Sequence, residues 1–172
     1  MKKILNIFIE NIYKNESISD DELQCILENT KKMTDFALQN QEIYEKSVLN
    51  NYKFSTLCFD IVFCNDEYIH KINLEYRGKD RATDVISFAI FADSPEEERF
   101  IFDDEEINLG EIIISIDTLK KQALENNVSI KDELYFLISH GILHLFGFDH
   151  QTNKDYNVMI SYQNEMRNTV DV

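Results

Sequence analysis

The chain has 172 residues, 44% of them apolar and 28% charged, the size and balance of a single globular domain spanning residues 1–172. No apolar run reaches the length of a membrane span, and the opening MKKILNIFIEN, broken by Asn6 and Glu10 and followed by no small-residue cleavage site, does not read as a signal peptide. A formal net charge of -15 argues at first sight against a nucleic-acid partner, but nine acids against Arg99 in residues 93–111 supply -8 of it, while residues 71–81 (Lys71, Arg77, Lys79 and Arg81 against Glu75 and Asp80) are +2.

In chain order, Lys3 to Ile9 reads as a strand. Asp20 to about Tyr44 reads as a helix capped by Ser19 or Asp20, with Leu23, Ile26 and Leu27 on one face. Leu57 to Phe63 is nearly all apolar, as in a strand buried on both faces. Asn65 is placed to cap a short helix through Tyr76, after which Arg77-Gly78-Lys79-Asp80 forms a turn. Thr83 to Phe91 is rich in β-branched and aromatic residues and reads as a third strand. The acidic run reads as a solvated loop, followed by a fourth strand over Leu109 to Ile116 and a helix from Asp117, as cap, to about Asn126. Ser129 and Asp132 form a capping box for a helix apolar nearly all round, the pattern of a central helix. A last helix covers Asn153 to about Asn168. Cys25, Cys58 and Cys64, an odd number in no C-x-x-C spacing, read as reduced buried thiols of a cytoplasmic protein.

The run SHGILHLFGFDH carries three of the four histidines. His140 and His144 are four apart and so share one helix face. Gly147 lets the chain leave that helix in a conformation with positive φ, so that His150 can return to the same point. Three imidazoles with one open position describe a catalytic zinc site, since structural zinc sites close with a fourth protein ligand. The fourth histidine, His70, lies off the Ile69/Ile72/Tyr76 face and is expected to be exposed.

The segment His140-Gly-Ile-Leu-His144-Leu-Phe-Gly147-Phe-Asp149-His150 resembles the H-G-x-L-H-L-x-G-y-D-H signature of the YbeY endoribonucleases. Residues 73–88, NLEYRGKDRATDVISF, resemble that family's N-L-x-Y-R-G-K-D-K-P-T-D-V-L-S-F segment, and Leu109-Gly110-Glu111-Ile112 resembles its L-G-D-I strand. Ala82 and Ala89 stand where the family usually has proline. The resemblance implies an α+β fold, a mixed four-stranded sheet packed against several helices, with a metzincin-like zinc site on a central helix. It implies one zinc ion per chain and cleavage of single-stranded RNA. It further implies 16S rRNA 3′-end maturation and ribosome quality control, with the ribosome or small-subunit proteins as partners and no membrane.

The ligand spacing is also that of metzincin proteases, which carry Glu directly after the first His as general base; here that position is Gly141. A ribosome-associated binding module with structural zinc is a second alternative. Matched to the Y-R-G-K block, Arg77 becomes the candidate to hold the scissile phosphate, because its planar fork binds two oxygens at once. Lys79 and Arg81 are candidates for flanking phosphates. Asp84 and Glu111 are either proton acceptors near the metal or strand-end residues paired with Lys or Arg. Asp149 either orients a histidine or shapes the turn.

Overall fold

The computed structural model describes residues 3–102 and 105–170. Strands β1 (Ile4–Asn11), β2 (Thr56–Cys64), β3 (Val85–Phe88) and β4 (Glu106–Ser115) form one sheet in the order β1-β2-β4-β3. β1 and β2, and β2 and β4, pair in parallel, and β3 pairs antiparallel to β4, giving the mixed four-stranded sheet. The helices are α1 (Asp20–Gln39), α2 (Gln41–Lys46), α3 (Asp66–Arg77), α4 (Ile90–Asp93), α5 (Ile116–Asn126), α6 (Ile130–Leu145) and α7 (Asn153–Arg167). None of the helices among the described residues is long and apolar enough to cross a membrane.

Helices lie on both faces of the sheet, so the central strands read as continuous apolar runs. The larger core joins Phe59, Ile61, Phe63, Ile107, Leu109, Ile112 and Ile114 to Met33 of α1, Ile138 and Ile142 of α6 and Met159 of α7. A smaller cluster of Val62, Cys64, Ile69, Ile86 and Ile113 lies under α3 on the other face. Burying each large aliphatic side chain fully contributes roughly 1.5–3 kcal/mol. α6 is held from both ends: the Ser129/Asp132 capping box is formed at its start, and most of its length is buried.

One feature of β4 decides what faces what. Cys58 pairs with Asn108, but Asp60 pairs with Glu111, so two residues of β4, Leu109 and Gly110, oppose Phe59 alone. This bulge inverts the alternation. Leu109 and Ile112, three apart, both enter the larger core. Gly110 is required twice over: its φ is 121°, and a Cβ there would lie 1.9 Å from the Phe88 carbonyl oxygen of β3.

Several boundaries differ from the sequence expectation for local reasons. The helix expected over 20–44 is two helices, because the side chain of Asn40 accepts the Ile43 N–H and caps α2 while its own N–H closes α1. β3 stops at Phe88, where its pairing partner Glu111 meets the bulge and the chain turns into α4. Ser115, not Asp117, caps α5, since the Asp117 carboxylate accepts instead from the Tyr13 hydroxyl at 2.9 Å and the Asp66 N–H at 3.0 Å. Part of the acidic run is strand or helical turn: Glu106 and Glu111 belong to β4 and Glu96–Glu98 form a 3-10 turn, while Asp103 and Asp104 lie outside the described residues. Arg99 ties the start of the run to the body through the carbonyls of Phe91, Ala92 and Ser94. Of the three thiols only Cys64 is fully buried; Cys25 is exposed.

Candidate active site

The C-terminal half of α6 and the turn after it carry the three histidines. The turn is a Schellman closure: the Gly147 N–H donates to His144 O at 2.9 Å and the Phe148 N–H to Leu143 O at 3.0 Å. Gly147 has φ 91°, and a Cβ on it would meet Val48 Cγ1 at 2.5 Å. The reversal brings His150 back, and one ligand nitrogen from each of His140, His144 and His150 lies within 4.8 Å of the others. A tetrahedral zinc with bonds of 2.0–2.1 Å needs its ligand atoms about 3.3 Å apart, so small side-chain movements suffice. Among the described residues the group is His140, His144 and His150, three nitrogen donors and no carboxylate or thiolate. This set can hold a metal ion and leaves a fourth position for water or substrate.

Two of the histidines, His140 and His144, are held in a form that can ligate a metal. His140 Nδ1 lies 3.3 Å from Gln163 Oε1, an acceptor, so the ring proton belongs on Nδ1 and Nε2 keeps its lone pair. Gln163 is itself buried and anchored, its amide donating to Phe136 O at 3.2 Å. The Nε2 atoms of His140 and His144 lie 2.9 Å apart, too close for both to be protonated. Burial, followed by the neighbouring His140 and His150, lowers the His144 pKa to about 4; burial likewise lowers that of His140. Both rings are therefore neutral at neutral pH.

Arg77, at the end of α3, lines the same cavity of about 290 Å³ as the three histidines, together with Asp84, Ser87, Tyr156 and an apolar wall that includes Phe136 and Ile160. Its guanidinium makes one long hydrogen bond, to Ser87 O at 3.5 Å, and no carboxylate pairs with it among the described residues. Among the described residues it is a cation without a carboxylate partner, on the same cavity as the three imidazoles. A second cavity, about 280 Å³, shares Arg77, Ser87 and His144 and continues past Asp93, Gly147 and Asp149. The Ser87 hydroxyl, where the two cavities meet, is buried with no hydrogen-bond partner among the described residues.

The remaining sequence candidates separate. Asp84 is on the cavity wall, paired with no Lys or Arg among the described residues; its carboxylate accepts from the Val85 N–H at 2.8 Å, the Thr83 hydroxyl at 3.0 Å and Gln122 at 3.1 Å. Glu111 is not in the site. The bulge turns it to the α3 face, away from α6, where burial and the charges of Asp60 and Glu10 raise its pKa. Asp149 shapes the turn, accepting from the His150 N–H and the Gln151 amide, both at 2.7 Å. Lys79 and Arg81 are exposed beyond α3 and line neither cavity. His70 is partly exposed and bonds Asp80 at 2.7 Å. Sequence reading missed Gln163, Tyr156 and Ser87, which only tertiary contact brings to the histidines. Gly141 packs against Ile112 of the sheet, so the glutamate that a metzincin would need has no place there.

The family model described as Endoribonuclease YbeY matches residues 8–171. Proteins named Endoribonuclease YbeY from Bacillus pumilus and Bacillus subtilis are 37% and 33% identical to the chain, over 163 and 162 residues respectively, covering 94% of both partners in each case. A protein of that name from Bacillus licheniformis is 47% identical over 108 residues, 63% of this chain and 68% of its own length. The solution structure of TM1509 from Thermotoga maritima covers 95% of this chain and 89% of its own, with a TM-score of 0.53 and 20% identity, a likeness of fold.

Proposed function

This chain belongs to the endoribonuclease YbeY family, and from that premise we propose that it is a zinc-dependent endoribonuclease that hydrolyses phosphodiester bonds in single-stranded RNA. In this reading residues 1–172 are one cytoplasmic domain that acts on the 3′ end of 16S rRNA and in ribosome quality control, in contact with the ribosome or small-subunit proteins. The observation that carries the reading is the convergence of three imidazole nitrogens and an unpaired arginine on one cavity.

His140, His144 and His150 hold the zinc. Zinc, when bound, supplies Lewis acidity at the phosphoryl oxygen and acidifies water. The chain supplies the rest. A phosphodiester gains charge on its non-bridging oxygens as it becomes pentavalent, and Arg77 is free to bind two of them at once. Asp84, the carboxylate on the wall of the histidine cavity, accepts the proton released by the attacking group. Gln163 holds His140 in one tautomer. Lys79 and Arg81, outside the cavity, bind flanking phosphates and set the salt dependence of affinity.

The test compares labelled single-stranded RNA with casein as substrates of purified protein, with and without chelator. Chelator-sensitive RNA cleavage with casein untouched is expected. RNA left intact, or cut equally well with chelator present, overturns the reading.

A further inference from the structure

The cleft has two ends, with Arg77, Ser87 and His144 shared between them. One end is lined by the carboxylates of Asp93 and Asp149, which disfavour phosphate. Its aromatic residue, Phe148, is already engaged edge-on with Tyr162, at 5.6 Å between ring centroids. The other end also holds a carboxylate, that of Asp84, but has a broader apolar wall of Val85, Phe136, Leu137 and Ile160, and Tyr156 is among its lining residues.

Tyr156, on the first turn of α7, is 49% exposed and also lines the histidine cavity. Its backbone is fixed, with the N–H bonded to Thr152 O at 2.9 Å inside the capping box of α7. Its ring meets one other ring, that of His150, at 6.1 Å and 82°, an edge contact that leaves a ring face open. Its hydroxyl has no hydrogen bond among the described residues. A ring of fixed position, beside a metal ligand and in the cavity of a phosphate-binding arginine, is what a nucleic-acid base stacks on.

We propose that Tyr156 is the stacking platform for the base next to the scissile phosphate, and that it gives the enzyme a preference for purines on that side. The proposal rests on the endoribonuclease reading, because the phosphate must lie at Arg77 for the adjoining base to reach Tyr156. Stacking is tolerant of sequence but stronger for larger rings, so the preference is graded and not absolute.

The test is equilibrium binding, by fluorescence anisotropy at one salt concentration, of short single-stranded probes of equal length: oligoadenylate, oligouridylate and an abasic ribose-phosphate chain. All probes carry 2′-O-methyl sugars and phosphorothioate linkages, which keep the charge and resist cutting, and denaturing gels confirm that each stays intact. All three carry the same phosphates, so their affinity ratios isolate the bases. The native protein should bind oligoadenylate best and the abasic chain worst. Tyr156→Ala should shrink the adenylate-to-abasic ratio by roughly tenfold while leaving abasic affinity and melting temperature unchanged, and Tyr156→Phe should keep the ratio. An undiminished ratio in Tyr156→Ala overturns the proposal while leaving the nuclease reading intact. A Tyr156-dependent ratio in a protein that never cuts RNA overturns the nuclease reading and, with it, the placing of that base beside a scissile phosphate. Failure of the native protein to bind any probe overturns both.

Discussion

A Cβ built on Gly141 would stand 2.7 Å from Cδ1 and 2.8 Å from Cγ2 of Ile112, so α6 rests on β4 at the one helical residue without a side chain. Gly141→Ala gains about 1 kcal/mol of helix propensity and meets overpacking of about 1–3 kcal/mol. A net loss of stability is expected in denaturant melts. Ile112→Val in the same chain should recover part of it, because one of the crowding atoms is removed. Additive effects of the two substitutions would mean that the helix does not rest there. Gly141→Glu should cost the fold and yield no peptidase.

Gly147 combines positive φ with a close neighbour. Gly147→Val should lose about 2–6 kcal/mol, from backbone strain of about 1–3 kcal/mol and overpacking of similar size. Metal content should fall with it, since the same turn returns His150. Combining Gly147→Ala with Val48→Ala should be less damaging than the two single losses added together. A wild-type melting temperature for Gly147→Val would remove the strained turn from the account.

The metal site is testable through its support as well as its ligands. Elemental analysis of protein purified without added metal should give close to one zinc per chain, falling sharply in His144→Ala. Gln163→Leu keeps the volume but loses the acceptor for His140 Nδ1, and metal affinity should drop by about 10–100-fold. Unchanged affinity would show that the tautomer is fixed in some other way.

Arg77→Ala should retain fold and metal yet slow single-turnover cleavage by roughly a hundredfold or more, the usual loss for a donor aimed at developing charge. Arg77→Lys should restore little, because a point charge does not copy the fork. Lys79→Ala and Arg81→Ala should instead weaken RNA binding and flatten its salt dependence. A wild-type rate for Arg77→Ala at saturating enzyme would shift the catalytic burden to Asp84.

Burial, helped by the charges of Asp66 and Asp117, raises the Cys64 thiol from 9.0 to about 12. A group whose folded pKa is raised contributes stability that is complete below its unfolded value and lost as pH climbs through the folded one. Alkaline melts should therefore show a loss of stability beginning near pH 9 and continuing toward 12, reduced in Cys64→Ala relative to its own neutral value. At pH 8 an alkylating reagent should modify Cys25 and spare Cys64. Rapid native labelling of Cys64 would contradict its burial.

What could be read from the sequence follows the reach of each interaction. His140, His144, Gly147 and His150 are neighbours along the chain, so helix geometry and one glycine suffice to bring them together. The Ser129/Asp132 box and the apolar surface of α6 are equally local. The sequence leaves Glu111 open between a proton acceptor near the metal and a strand-end residue, because the bulge that turns it to the α3 face shows only in the pairing of β4 with β2. Gln163 lies 23 positions from His140, and nothing in its surroundings marks it as a partner. Ser87 and Tyr156 matter through the cavity walls, which are formed by elements far apart in sequence.

The three ligands come from eleven consecutive residues, whereas Arg77 precedes the first of them by 63 positions. In a disordered chain the histidines stay close at small entropic cost, while bringing Arg77 to them means closing a long loop and assembling the sheet. Metal taken up by unfolded histidines also reduces the stabilisation that metal gives the native state. Metal content would thus report the local turn at Gly147 and not the docking of Arg77. A sample can be fully loaded and largely inert, and only cleavage reports that the distant half of the site has arrived.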